Sequence, residues 1–181
     1  MRSKSIIVLA VAIAAAVAAQ PVPSKTRASI RLQGTVTLKA VNIKQRCKFS
    51  GKTAKVIIAT CAQFGSYAGK PGPAGASYGW RWYLQIGPKG TTTGNGAERG
   101  RLALNFGKLG ILRVTMIGRQ VPIGPVSTNA AKGRTTGTWK FESGTKGLAG
   151  RQGSGRYVFE TSRKGATTFQ IARLMLSGTL S

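Results

Sequence analysis

The apolar residues of this chain recur at every second position, the spacing of strands that are buried on one face only. Residues 30–38 (IRLQGTVTL) alternate apolar and polar side chains, and residues 80–86 (WRWYLQI) continue the same rule. No segment beyond residue 19 shows the 3.6-residue period of an amphipathic helix. The pattern therefore predicts an all-β fold built from eight or nine short strands.

Turn-forming residues separate these strands, and 25 glycines supply many of the turns. The alternation shifts phase near Ala40, which predicts a bulge or a strand break there. Residues 65–79 (GSYAGKPGPAGASYG) and 87–96 (GPKGTTTGNG) show no apolar alternation, so we expect loops. The predicted strands cover residues 30–38, 41–49, 55–63, 80–86, 102–106, 111–117, 135–143, 156–161 and 167–180.

The first and last strands resemble each other. Residues 30–37 (IRLQGTVT) match residues 174–181 (LMLSGTLS) in polarity, with a glycine at the same place. We interpret the two as neighbours, because pairing the first strand with the last removes exposed sheet edges. This predicts a single antiparallel β-barrel of about eight strands, with a β-sandwich as the alternative.

The first 19 residues have the pattern of a signal peptide. Arg2 and Lys4 precede the apolar run 6–18, and small residues offer a cleavage site near Gln20. The apolar run is shorter than the 20 or so residues that span a bilayer, and no later segment approaches that length. We expect a secreted, periplasmic or cell-envelope protein with no transmembrane span in its mature chain.

The remaining chain suits one domain. Residues 20–27 form a short linker, and residues 28–181 form a single all-β domain. Removing the signal leaves 26 cations against three acids, a net charge of +23 over 162 residues.

An exported protein meets an oxidising environment, which favours a Cys47–Cys61 disulfide over two buried thiols. If residues 50–53 formed a tight turn, Cys47 would face a residue near Val56, so the disulfide requires a wider loop or non-adjacent strands.

The composition excludes much enzyme chemistry. The chain contains no His and no Asp, so it has no Ser-His-Asp triad and no histidine metal site. Two cysteines cannot complete a structural zinc site, and no glycine-rich loop leads into a helix as nucleotide binding requires. We predict no metal, no cofactor and no catalytic residue.

Residues 136–155 (TGTWKFESGTKGLAGRQGSG) are the most distinctive stretch. Two aromatic residues share a face there, and regularly placed glycines follow them. The stretch resembles the glycine-rich hairpin of secreted barrels in the allene oxide cyclase and dirigent-like superfamily. The resemblance implies an eight-stranded antiparallel barrel that can hold an apolar ligand and whose enzymes use no metal or cofactor. Dirigent-like sites use Asp, which this chain lacks.

The three acids are not expected to act in catalysis. Glu142 and Glu160 each follow a phenylalanine, so they alternate away from the buried face and should form ion pairs on the exterior. Glu98 lies in a stretch that we assign to a glycine-rich turn. A possible pocket is instead assigned to five aromatic residues, Trp80, Trp82, Trp139, Phe141 and Tyr157. In the run 78–83, the continuing alternation favours Trp80 and Trp82 as core residues over a stacking surface.

The excess of cations is the strongest functional signal. Lys44, Arg46 and Lys48 alternate on one strand face, about 6.6–6.8 Å apart. We assign polyanion binding to these three residues and to Arg99, Arg101 and Arg113. The predicted function is a non-enzymatic, secreted β-barrel that contacts anionic polymers or anionic cell-surface components without sequence specificity. The alternatives are a cofactor-free isomerase or carrier of an apolar small molecule, and a membrane-active cationic protein.

Overall fold

The computed structural model describes residues 27–39, 47–50, 56–87, 92–124, 130–164 and 168–181. The predicted signal peptide, most of the linker and the phase shift near Ala40 lie outside these ranges. Two short 3₁₀ turns, Gly107–Leu109 and Lys146–Leu148, interrupt the strands. The nine strands are β1 (Ile30–Leu38), β2 (Cys47–Ser50), β3 (Val56–Lys70), β4 (Ala74–Ile86), β5 (Thr92–Asn105), β6 (Ile111–Pro122), β7 (Ala130–Gly144), β8 (Gly153–Lys164) and β9 (Thr168–Leu180).

Eight strands close into an antiparallel β-barrel, which confirms the predicted fold. The chain runs from β3 to β9 as consecutive hairpins, and β1 lies between β9 and β3. Ile30 pairs with Leu180 on one side of β1, and Leu38 pairs with Gly65 on the other. The prediction that the first and last strands are neighbours is therefore confirmed. Strand β2 is additional and pairs with the part of β3 that β1 does not reach.

Two segments predicted as loops are strands. Most of residues 65–79 belong to a long hairpin of β3 and β4, in which Tyr67 pairs with Ala74. The end of residues 87–96 begins β5. The alternation is present in the β3–β4 hairpin, but its inward residues include Ala74 and Ala76, which hydropathy does not distinguish from small outward residues. Small side chains suit this interior because large aromatic rings from other strands occupy it.

Cys47 and Cys61 form a disulfide, as predicted. They are direct partners on β2 and β3, and Ser50 pairs with Ile58 further along. Seven residues therefore separate Ser50 from its partner Ile58. The connection is the wider loop that a Cys47–Cys61 disulfide needs, and not a tight turn. The disulfide ties the short β2 to the barrel, because four residues of strand pairing alone give little independent stability.

One end of the barrel is closed by apolar residues. The two 3₁₀ turns connect β5 to β6 and β7 to β8, so both lie at the same end. Leu148 is fully buried there, and Phe106 and Leu109 pack against the core. The buried polar residues Gln120, Thr135 and Thr161 lie near the ends of strands that meet at the opposite end. The interior is therefore apolar at the closed end and polar toward the other.

Gly155, from the glycine-rich stretch 136–155, and Gly178 of β9 make room for an indole ring. Trp139 is fully buried, and its Nε1 donates to the carbonyl of Ser177 at 3.1 Å. A Cβ on Gly155 would lie 2.5 Å from that Nε1, and a Cβ on Gly178 would lie 2.3 Å from Cζ2 of the same ring. Glycine is required at both positions because no real Cβ approaches another atom so closely.

Candidate functional site

A carboxyl group lies inside the barrel. Glu98 is fully buried on β5, where it pairs with Trp82 of β4 and Gly118 of β6. Its assignment to a glycine-rich turn is wrong, because the strand begins at Thr92 and continues through this residue. A buried acid among aromatic side chains is a candidate for chemistry, since burial and neighbours change its protonation.

Four side chains from three other strands donate hydrogen bonds to Glu98. Oε1 accepts from the hydroxyl of Tyr78 at 2.6 Å and from that of Tyr157 at 3.2 Å. Oε2 accepts from Nε1 of Trp82 and from the hydroxyl of Thr135, the latter at 2.9 Å. These donors come from β4, β7 and β8, so the carboxyl group links distant strands across the interior. We call these five residues the Glu98 cluster.

The hydroxyl of Thr135 has two acceptor neighbours but only one proton. It lies 2.9 Å from Oε2 of Glu98 and 2.6 Å from Oε1 of Gln120. A protonated Glu98 satisfies both contacts, because its carboxyl group can donate to Thr135 while Thr135 donates to Gln120. The result is a continuous path of hydrogen bonds from Glu98 toward the polar end of the barrel.

Burial changes the pKa values of the three titratable members of the cluster. Loss of hydration raises the pKa of Glu98 above its ordinary value, and this effect exceeds the lowering effect of its four hydrogen bonds. Burial also raises the pKa of Tyr78 and of Tyr157, and the neighbouring Glu98 carboxylate raises both further. The cluster therefore favours neutral forms and retains its protons more strongly than the same groups do in water.

The raised pKa of Glu98 predicts that its contribution to stability decreases as the pH rises. Because the folded state binds this proton more tightly than the unfolded chain, the contribution is complete below the unfolded pKa, near 4.5. It is lost as the pH rises through the folded pKa. Urea titrations from pH 4 to 9 measure the unfolding free energies of the wild type and Glu98→Gln. As the pH rises, the wild type should lose stability relative to Glu98→Gln. A difference that moves in favour of the wild type with pH would mean that the hydrogen bonds outweigh burial.

The sequence contained a signal for Glu98 that the turn assignment obscured. Glu98 stands four residues before Leu102 and six before Leu104, so it shares their inward face on an extended strand. Gly96 and Gly100 occupy the adjacent inward positions and remove the apolar side chains that would have marked the strand. Counting back from Leu102 in steps of two would have placed Glu98 in the core.

The five aromatic residues assigned to a pocket do not form one site. Trp82 and Tyr157 contact Glu98, whereas Trp139 lies against two glycines elsewhere in the interior. Trp80 is buried and packs against Tyr78, Trp82 and Phe159. Phe141 is only partly buried and lines an outer groove. The prediction that Trp80 and Trp82 are core residues is confirmed, and Arg81 points outward between them.

The outer face of β4, β5 and β6 carries a group of arginines. Arg81 and Arg99 are direct strand partners on this face. Their Cβ atoms therefore stand about 4.5–5.5 Å apart, a placement that is unfavourable for two like charges. Arg101 lies two residues further along β5, and Arg119 of β6 is diagonal to Arg99. We call Arg81, Arg99, Arg101 and Arg119 the arginine cluster.

The charge of the arginine cluster is largely unbalanced. All three side-chain carboxylates of the chain are described, and only Glu142 reaches this group, 3.3 Å from Arg101. Glu160 pairs with Arg134 instead, at 2.8 Å, and Glu98 is inside the barrel. The predicted exterior ion pairs of Glu142 and Glu160 are therefore confirmed. Among the described residues, no carboxylate forms an ion pair with Arg81 or Arg99.

A groove of about 860 Å³ runs along this face. Arg81, Arg99 and Arg101 line it, together with Tyr83 and the exposed Ile117. Nε of Arg81 donates to the hydroxyl of Thr60 at 3.1 Å, which holds the guanidinium over the sheet. The groove is thus an open, cationic surface with an aromatic ring at one side.

The six residues assigned to polyanion binding do not all belong to the arginine cluster. Lys44 and Arg46 lie outside the described residues, and Lys48 is exposed on β2. Arg99 and Arg101 belong to the arginine cluster, and Arg113 is exposed on β6 diagonal to Arg101, although it does not line the groove. The sequence did not show that Arg81 stands opposite Arg99, because strand register decides which residues are partners.

Comparisons with known proteins identify no relative. No family model, no curated protein and no solved structure matches the chain. Within the described ranges, no helix is long and apolar enough to cross a membrane. In the same ranges, no group of three His, Cys, Asp or Glu residues is placed to hold a metal ion.

Proposed function

We propose that this protein is an exported β-barrel that binds anionic polymers or anionic cell-surface components through its outer face. The observation that carries the proposal is the direct pairing of Arg81 with Arg99 in an open groove, where no described carboxylate forms an ion pair with either of the two. Two like charges held as strand partners lower stability unless an anion screens them. A ligand that supplies anionic groups at this place relieves the repulsion and gains two charge-assisted interactions.

Further support comes from the rest of the surface. Exposed arginines and lysines occur on the outer faces of most strands, and three acids cannot neutralise the 28 cations of the chain. The outer face therefore attracts a polyanion from many directions, while the groove gives it a preferred site. Binding of this kind depends on counterion release and not on the order of monomers in the polymer.

Salt dependence tests the proposal. Retention on immobilised heparin and binding of a labelled oligonucleotide should both weaken steeply between 50 and 500 mM NaCl. The logarithm of the association constant should fall linearly with the logarithm of salt concentration. Binding that is insensitive to salt, or absent at the lowest salt, would contradict the proposal.

The Glu98 cluster supports a second candidate, a cofactor-free isomerase or carrier of an apolar small molecule. The supporting observation is an acid with a raised pKa, hydrogen-bonded to Tyr78 and Tyr157 inside a barrel whose interior is largely apolar. Such a group can donate a proton or a hydrogen bond to a ligand that enters from the polar end. The resemblance of residues 136–155 to cofactor-free barrel enzymes agrees with this candidate.

An apolar fluorescent probe tests this second candidate. A ligand that reaches the cluster should quench the fluorescence of Trp82 and displace the probe, and Glu98→Gln should alter its affinity. If no apolar compound saturates the protein or changes its tryptophan emission, the barrel interior serves only as a core.

A further inference from the structure

We infer that the arginine cluster and Tyr83 together form a binding site for single-stranded nucleic acid. The inference rests on the proposed function and names the class of polymer. Phosphates would lie over Arg81 and Arg99, and an unpaired base would stack on the ring of Tyr83.

Every cation that lines the groove within the described part of the chain is an arginine. Arg81 and Arg99 are strand partners, so two guanidinium groups can approach one phosphate from opposite sides. A guanidinium is planar and presents paired donors that match two phosphate oxygens, which an ammonium group does not. Arg119 extends the cationic surface diagonally across β6 and lines an adjoining groove of about 360 Å³.

Tyr83 stands where a base would follow the phosphates. It is two residues beyond Arg81 on the same outer face of β4. Its strand partners are Ile58 on β3 and Ala97 on β5, and the small side chain of Ala97 leaves space on the β5 side. The ring is half-buried and lines both grooves. Its neighbours therefore hold it in place, while part of the ring stays accessible to a ligand. An aromatic ring beside backbone-binding cations is the arrangement that single-strand binding proteins use.

The groove is poorly suited to sugar hydroxyl groups. Among the residues that the structure describes, no Asn, Gln, Asp or Glu side chain lines it, and its polar neutral side chains are Thr60, Thr115 and Tyr83. Carbohydrate hydroxyl groups need acceptors as well as donors, and this groove offers mainly donors. Stacking of bases does not need side-chain acceptors, because every base has a π-face. The groove therefore favours nucleic acid over a sulfated polysaccharide.

The test separates stacking from charge. A fluorescent oligo(dT) and an abasic oligonucleotide of the same length and charge are titrated into the wild type, Tyr83→Leu and Phe64→Leu. Phe64 is an exposed aromatic residue on β3 outside the groove, so it provides a matched control. Tyr83→Leu should weaken oligo(dT) binding by roughly 5- to 100-fold and leave abasic binding unchanged. Phe64→Leu should alter neither.

The outcomes distinguish this inference from the proposed function. If wild type binds both oligonucleotides equally and Tyr83→Leu changes nothing, base stacking is absent and the inference fails, while charge-driven binding stands. If heparin binds more tightly than oligo(dT) at equal salt and loses affinity in Tyr83→Leu, the ligand class is an acidic polysaccharide. If neither oligonucleotide nor heparin binds at low salt, the proposed function itself fails.

Discussion

Replacing Glu98 with Ala should lower the free energy of unfolding by about 3–5 kcal/mol. The substitution removes the acceptor of Tyr78, Trp82 and Tyr157, whose donors are buried and are therefore left without a hydrogen-bond partner. It also leaves a cavity between strands that the carboxyl group now links. Urea unfolding followed by tryptophan fluorescence measures the effect directly, because Trp82 is a member of the cluster.

Glu98→Gln is the matched control for this prediction. The amide retains an acceptor for Tyr78 and Tyr157, and its NH₂ group can donate to Thr135, which then donates to Gln120. Only the contact with Trp82 is lost, so the expected cost is about 1–2 kcal/mol. Glu142→Ala, which breaks an exposed ion pair with Arg101, should cost less than about 1 kcal/mol. Equal losses in Glu98→Ala and Glu98→Gln would show that hydrogen-bond acceptance is not what Glu98 contributes.

The double variant Arg81→Gln/Arg99→Gln should weaken polyanion binding by roughly 10- to 100-fold at low salt. It removes the two opposed charges of the groove, and the slope of log affinity against log salt should decrease by about 2. The fold should persist, and stability should rise slightly, because the repulsion between direct strand partners disappears. Heparin affinity and a thermal melt measure the two effects on the same samples.

The control for this variant removes the same net charge elsewhere. Arg31 and Arg156 are exposed on β1 and β8, away from the groove. Arg31→Gln/Arg156→Gln should reduce affinity only by the general loss of charge. If the two double variants lose affinity equally, the whole surface binds the polymer and the groove has no special role.

Much of this architecture follows from local sequence. The two-residue alternation in residues 30–38 and 80–86 predicted strands and their buried faces, because side chains of an extended chain alternate in direction whatever the fold. The similarity of residues 30–37 and 174–181 predicted the pairing of β1 with β9. The prediction was wrong at residues 65–79 and at the start of β5, where Gly, Ala and Ser hid the alternation.

The candidate sites depended on register and closure. The sequence by itself determined an all-β chain with a large excess of cations, three acids and two cysteines that could pair. Only the tertiary structure decided that Glu98 meets donors from β4, β7 and β8, because a closed barrel brings distant strands to one interior. It also decided that Arg81 faces Arg99, because the register of β4 on β5 selects strand partners. Sequence fixes the direction of a side chain on its strand, whereas the side chains that it meets depend on how the strands are paired.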